Sequence, residues 1–195
     1  HHRLVGSEMC IRDSNEGILC TLKHFPGHGS STADSHLGFV DVTETWSEDE
    51  LTPFAAVINA GRCDAVMTAH IFNQNLDSQH PATLSKSVIT GILRERFSYD
   101  GVIMTDDIQM GAIRNYYAFE RAIELALEAG VDIFSISRYT SALVDRVFTT
   151  IHKLVDEGRV SRERINLSFR RIMALKSRMH VQVIPHEALA DRDTS

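Results

Sequence analysis

The stretch Gly101-Val102-Ile103-Met104-Thr105-Asp106-Asp107 decides the fold. Its first four residues follow Asp100 and form a continuous apolar run, which is typical of a strand buried on both faces of a parallel sheet. A hydroxyl and two carboxylates come directly after this run. Because residues at the carboxyl ends of parallel strands line the site in α/β folds, the stretch predicts both a sheet and a site.

Three other apolar runs repeat this pattern along the chain, at residues 17–22, 64–69 and 131–137. Amphipathic patterns that predict helices alternate with the strands, at 45–60, 85–93, 116–129, 142–157 and 161–178. The pattern predicts an α/β fold with four βα units on a parallel sheet. A closed (β/α) barrel needs eight such units and about 250 residues, so the chain is either a small open sheet or the C-terminal half of a barrel.

Local signals mark two helix ends. Ser47 and Glu50 have the spacing of a capping box, which predicts a helix beginning at Ser47. Pro53 favours a later beginning, because proline is tolerated in the first turn of a helix. Gly130 is predicted to be the residue that follows the helix at 116–129, where a left-handed backbone is common.

Composition excludes several classes of protein. The chain has 195 residues and a formal net charge of −6, so it lacks the basic footprint of a nucleic-acid-binding protein. Its apolar runs are shorter than the roughly 18 residues of a membrane span. Cys10, Cys20 and Cys63 are an odd, widely spaced set, which argues against disulfides and zinc and favours a reducing compartment, the cytoplasm. A periplasmic or secreted location stays open, because we expect the natural N-terminus to be missing from this sequence. We expect a non-native leader at 1–14, one domain at 15–180 and a polar tail at 181–195.

Polar, potentially reactive side chains cluster where the predicted strands end. Lys23, His24 and His28 follow the first strand, and Thr68 and His70 end the second. Asp106 follows the third strand directly, as a nucleophile at the mouth of the core would. The alternative for Asp106 is a helix N-cap, for which Asp107 is the better candidate because it lies further out.

Asp34 and His36 form a second group with possible chemistry. Two residues apart in an extended loop, their side chains lie on the same side of the chain. A carboxylate beside an imidazole raises its pKa, which suits general acid and base catalysis near neutral pH. The alternative is a loop stabilised by an Asx-type turn at Asp34.

A metal site is a further possibility for the histidines, and we expect neither a metal nor a cofactor. His24 and His28 have the i,i+4 spacing of paired ligands on a helix. Pro26 and Gly27 lie between them, however, and exclude a helix there.

Several long motifs, in the same order and spacing, resemble the bacterial β-N-acetylhexosaminidases of glycoside hydrolase family 3. The resemblance runs from about residue 17 to about residue 178. The motifs are Lys23-His24-Phe25-Pro26-Gly27-His28-Gly29, Asp34-Ser35-His36, Asp64-Ala65-Val66-Met67-Thr68-Ala69-His70, Pro81-Ala82-Thr83-Leu84-Ser85 and Gly101-Val102-Ile103-Met104-Thr105-Asp106-Asp107-Ile108-Gln109-Met110.

The resemblance implies a partial (β/α)8 barrel comprising its last four βα units, and a retaining exo-acting enzyme. Asp106 matches the nucleophile that forms a glycosyl-enzyme intermediate. His36 matches the acid/base, held by the partner that matches Asp34. Lys23 and His24 match residues that bind the sugar, and His70 completes the predicted substrate-binding set. This scheme replaces the second carboxyl group of the usual retaining mechanism with a His–Asp pair.

Two other functions stay open at this point. One is a phosphorylase, since a neutral imidazole at His36 repels an incoming phosphate less than a carboxylate would. The other is a non-catalytic saccharide-binding barrel, although Asp34, His36 and Asp106 are all present. We expect a small saccharide as the partner, a monomer in the full-length protein, and little or no activity from the 195-residue chain alone.

Overall fold

A parallel sheet organises the protein. The computed structural model describes residues 18–31, 38 and 40–179. The strands in this part of the chain are β1 (Thr21–Phe25), β2 (Val40–Asp41), β3 (Ala65–Thr68), β4 (Ile71–Phe72), β5 (Val102–Asp107) and β6 (Ile133–Ser135). The main sheet has the order β1-β3-β5-β6, and every pairing in it is parallel. The predicted four-stranded α/β arrangement is therefore confirmed.

Helices connect the strands and follow the last one. They are α1 (Thr52–Asn59), α2 (Ser87–Arg96), α3 (Gly111–Arg114), α4 (Phe119–Ala129), α5 (Ser141–Asp156) and α6 (Arg162–Ser177). Helix α2 is wound as a π-helix over its whole length. Gly130 follows α4 with φ of +115°, as predicted for its C-terminal end. Ser161 caps α6 by accepting a hydrogen bond from the Arg164 amide.

The structure corrects the bounds of the first predicted strand and of the first predicted helix. Strand β1 begins and ends later than predicted, because its pairing with β3 carries it through Lys23 and His24 to the fully buried Phe25. The capping box at Ser47 is wrong. Ser47 makes no side-chain cap, and the Glu50 carboxylate binds elsewhere. A short 3-10 turn at Glu48–Leu51 precedes α1, whose first turn contains Pro53, as the alternative predicted.

A buried carboxylate joins the amino-terminal end of the sheet to the helices around it. The Asp132 side chain, which is 0% exposed, accepts from the Ile103 amide at 3.0 Å and from Arg94 Nη2 at 2.8 Å. Its other oxygen lies 3.4 Å from Arg164 Nη1 and 3.6 Å from Arg171 Nη1. Burial lowers the pKa of both Arg94 and Arg164, and the charge of Asp132 opposes that shift. Asp132 thus compensates guanidinium groups that the fold has removed from water.

None of the helices in the described part of the chain is long and apolar enough to cross a bilayer.

Candidate active site

The first candidate residues, Lys23 and His24, lie within β1 rather than in the loop after it. The His24 side chain is 32% exposed, and Lys23 lies open to solvent. The peptide bonds Lys23–His24 and Phe25–Pro26 are both cis. The two predicted sugar-binding residues therefore occupy the carboxyl end of an edge strand of the described sheet, next to β3.

The loop after β1 is held by contacts from the segment that leads into α1. The Gly27 amide donates to the His24 carbonyl oxygen at 2.9 Å, which closes a tight turn. Glu50 Oε2 accepts from the Gly29 amide at 3.1 Å, and Trp46 Nε1 donates to the Pro26 carbonyl oxygen at 3.2 Å. Gly27 has φ of +119°, and a Cβ there would lie 2.4 Å from Glu50 Oε2. This turn needs glycine both for its backbone conformation and for the space that Glu50 occupies.

Asp106 lies near the carboxyl end of β5, with its side chain 25% exposed. Its Oδ1 accepts from the Asp107 amide at 2.8 Å, while its Oδ2 lies 3.7 Å from His24 Nε2. Strands β1 and β5 flank β3, so this contact spans two strand spacings across the mouth of the sheet. The two carboxylate oxygens therefore differ: the backbone holds one, and the other is directed towards His24.

Asp107 forms the turn that follows β5. Its Oδ1 accepts from the Gln109 amide at 3.0 Å, and its Oδ2 accepts from the Ser137 hydroxyl, beyond the end of β6. The expectation that Asp107 caps a helix is wrong, because α3 begins four residues later with Met110 in the cap position. Asp107 instead fixes the turn through which the chain leaves Asp106.

His70, predicted as a sugar-binding residue, is only 2% exposed. Its Nε2 lies 2.9 Å from the Asp107 carbonyl oxygen, and its Nδ1 lies 2.8 Å from Thr83 Oγ1. Burial lowers the pKa of His70, against the opposing effects of its bond to the Asp107 carbonyl and the charges of Asp106 and Asp107. The structure thus brings His24, Asp106 and His70 together at the carboxyl ends of the strands, and His70 lies on the buried side of the turn at Asp107.

Asp34 and His36 lie outside the described residues. From Val40 the chain is described continuously, and β2 pairs in parallel with β4: Val40 pairs with Ile71, and Asp41 with Phe72. Strand β4 comes directly after His70. Strand β2 therefore lies beside the segment that directly follows the carboxyl end of β3.

The sequence does not predict the part that two residues near the site play in it. Its pattern places Glu50 in a capping box, and only the contact of Glu50 with Gly29, 21 positions away, reveals that it supports the loop. Thr83 belongs to a motif that resembles the family's, which was the available signal, but its contact with His70 depends on the tertiary fold. Among the described residues, no cluster of three or more His, Cys, Asp or Glu side chains has the geometry to hold a metal ion.

Comparisons with known proteins identify relatives of this fold. The model of the glycosyl hydrolase family 3 N-terminal domain matches residues 5–175. β-Hexosaminidase A of Pseudoalteromonas piscicida is 32% identical over 182 residues, which is 84% of this chain and 30% of that protein. A glycoside hydrolase family 3 β-N-acetylglucosaminidase from Paenibacillus sp. FPU-7 superposes with a TM-score of 0.82 and 38% identity, covering 89% of this chain and 34% of that one.

A β-glucoside phosphorylase, BglX, superposes with a TM-score of 0.77 and 27% identity, covering 88% of this chain and 32% of that one. The chain spans about a third of the length of each of these three proteins. Its four-stranded parallel sheet therefore corresponds to part of a family 3 barrel domain, as the sequence motifs predicted.

Proposed function

Since the chain belongs to the glycosyl hydrolase family 3 N-terminal domain family, we propose that it forms the C-terminal half of the barrel of a retaining exo-β-N-acetylhexosaminidase. The enzyme removes terminal β-linked N-acetylglucosamine from oligosaccharides or muropeptides. The observation that carries the proposal is the approach of His24 Nε2 to Asp106 Oδ2, 3.7 Å, at the carboxyl ends of β1 and β5. The names of the relatives support the same substrate class.

In the first step, a carboxylate oxygen of Asp106 attacks the anomeric carbon of the terminal sugar. The bond to the leaving oxygen breaks as the new C–O bond forms, and His36 delivers its proton to the leaving oxygen. The Asp107 amide, 2.8 Å from Asp106 Oδ1, stabilises the carboxylate before attack and fixes its direction. His24 and Lys23 bind the sugar hydroxyls beside it.

In the second step, His36 removes a proton from water, which attacks the anomeric carbon and releases Asp106. Each displacement inverts the anomeric configuration, so two in sequence retain it. Asp34 stabilises the imidazolium that forms at His36. In support of this assignment, β2, which follows His36 in the sequence, pairs with β4 directly after His70.

Hydrolysis of a nitrophenyl β-N-acetylglucosaminide by the full-length enzyme tests the proposal. Asp106→Asn should lower kcat by about 10³-fold or more, since an amide is a poor nucleophile. Asp100→Asn is the matched control: its carboxylate is 81% exposed, precedes β5 at the opposite end of the sheet and should be dispensable. Unchanged turnover in Asp106→Asn would exclude the assignment. Retention predicts that the β anomer of the free sugar appears first in the proton NMR spectrum.

A second candidate is a phosphorylase, which the superposition on the β-glucoside phosphorylase supports. In this reaction phosphate replaces water in the second step, and the product is a sugar 1-phosphate. Adding phosphate to the same assay separates the two functions. Free sugar at all phosphate concentrations supports the hydrolase, and sugar 1-phosphate in proportion to phosphate supports the phosphorylase.

The 195-residue chain alone should be inactive or nearly so. Among the described strands, β1 and β6 each have one neighbour in the main sheet, and open strand edges favour association with other chains. A monomeric product with a normal turnover rate would contradict this.

A further inference from the structure

His70 lies behind the candidate nucleophile, Asp106, and contacts the backbone of the next residue, Asp107. Residue 107 is bonded on both sides: its amide donates to Asp106 Oδ1 at 2.8 Å, and its carbonyl oxygen lies 2.9 Å from His70 Nε2. The imidazole is 2% exposed and has protein partners at both nitrogens. A ring in this position acts on the Asp107 backbone and cannot contact a sugar in the open part of the site.

The proton positions follow from the partners. A carbonyl oxygen only accepts, so the Asp107 contact requires a proton on His70 Nε2. On the other side, Thr83 Oγ1 lies 2.8 Å from His70 Nδ1, 2.8 Å from the Ala69 carbonyl oxygen and 2.9 Å from Thr68 Oγ1. The Ala69 carbonyl also receives the Thr83 amide at 3.2 Å, so it depends less on the hydroxyl proton. The Thr83 hydroxyl is placed to donate to the Ala69 carbonyl oxygen, but it has only one proton. When the ring carries its single proton on Nε2, Nδ1 can only accept, so the Thr83 proton turns towards Nδ1 and Thr83 accepts from Thr68.

The charge state agrees with this arrangement. Burial lowers the pKa of His70, while the Asp107 carbonyl bond and the carboxylates of Asp106 and Asp107 raise it, and His24 lowers it. Since the net direction is downward, the ring is neutral near pH 7, with one proton, on Nε2. The Thr68–Thr83 hydroxyl pair then fixes both the tautomer and the ring orientation.

We propose that His70 is a positioning residue for the nucleophile: its Nε2–H holds the Asp107 backbone, which in turn orients the Asp106 carboxylate. This rests on the proposed function for the role of Asp106. It replaces the prediction that His70 binds the substrate directly.

Two substitutions in the full-length enzyme separate positioning from sugar contact. His70→Leu removes the donor, whereas the amide of His70→Gln reaches the position of Nε2 and keeps it. His70→Leu should lower kcat and kcat/KM together by about tenfold or more, with KM within about twofold. His70→Gln should recover most of this loss. A rise in KM with kcat unchanged would indicate a sugar contact and overturn the proposal, and so would wild-type kinetics in His70→Leu.

A spectroscopic measurement tests the geometry without relying on turnover. Nitrogen-15 NMR of the His70 ring should show the Nε2–H tautomer near pH 7. Thr83→Val, which keeps the shape but lacks the hydroxyl, should perturb the ring signals, while Thr83→Ser should preserve them. An Nδ1–H ring would overturn the positioning proposal even in an active enzyme. Conversely, an inactive wild-type enzyme with the Nε2–H tautomer would reject the proposed function and leave the positioning geometry supported.

Discussion

Replacing Asp132 with asparagine should destabilise the protein strongly, although the residue lies at the opposite end of the sheet from the candidate site. Asparagine keeps the shape and one oxygen but loses the charge, and its amide group would place hydrogens against a donor. Arg94, Arg164 and Arg171 all lie within 3.6 Å of the carboxylate oxygens. The substitution removes the main counter-charge of these guanidinium groups. Burial already disfavours the charged form of two of them, Arg94 and Arg164.

The magnitude follows from the burial of this side chain. Removing one partner of a buried ion pair costs about 3–5 kcal/mol. Since asparagine can still accept from the Ile103 amide, we expect the lower end, about 3 kcal/mol. For a domain of 150–250 residues 1 kcal/mol corresponds to roughly 2–4 °C in Tm, and the shift is smaller in a larger domain, so we expect a loss of at most about 6–12 °C in the complete barrel.

Thermal unfolding of the full-length enzyme, followed by circular dichroism, measures this change. The matched control is again Asp100→Asn, which removes an exposed partner of Arg171. Exposed ion pairs contribute about 0–1 kcal/mol, so the control should shift Tm by no more than a few degrees. Equal Tm values for Asp132→Asn and Asp100→Asn would refute the reasoning.

Two glycine substitutions and their measurements follow from backbone conformation. Gly27→Ala should cost about 1–3 kcal/mol in the free energy of unfolding and reduce kcat/KM by about tenfold, because φ is +119° and the new Cβ would overlap Glu50. Urea unfolding and nitrophenyl glycoside kinetics check both effects, and unaltered kinetics would contradict the role of this turn. Gly130→Ala should destabilise the protein by about 1–2 kcal/mol and leave kcat of the folded enzyme unchanged. At this position φ is +115°, and a Cβ would lie 3.3 Å from Ile89 Cγ2 and from Thr90 Oγ1. A stabilised variant would contradict the role of Gly130 at the end of the helix.

The sheet could be predicted from sequence because its central strands carry their own signal. Strands β3 and β5 are continuous apolar runs, with Val66 and Ile103 at 0% exposure, and a strand buried on both faces needs such a run. The sequence pattern predicts β1 too early in the chain for the complementary reason. Lys23 and His24 are polar and resemble loop residues, yet pairing with β3 extends the strand through them. Tertiary pairing here overrides local pattern.

The sequence predicts which residues form the site better than it predicts what each of them does. Asp106 and His24 follow from their motifs, and the structure brings them to 3.7 Å. The burial of His70 had no local signal, since a histidine after a strand can face either the site or the core. Its partners, Thr83 and the Asp107 carbonyl, are 13 and 37 positions away. Long-range contacts of this kind arise only when the sheet has formed.

Identification of the residue that carries the sugar tests the central claim most directly. The full-length enzyme is treated with an activated fluorinated N-acetylglucosaminide that accumulates the glycosyl-enzyme intermediate, digested, and sequenced by mass spectrometry. The added sugar mass should lie on Asp106, whose Oδ2 is directed towards His24, and on neither Asp107 nor another carboxylate. Sugar attached to a different residue, or an enzyme that turns over without any covalent intermediate, would contradict it.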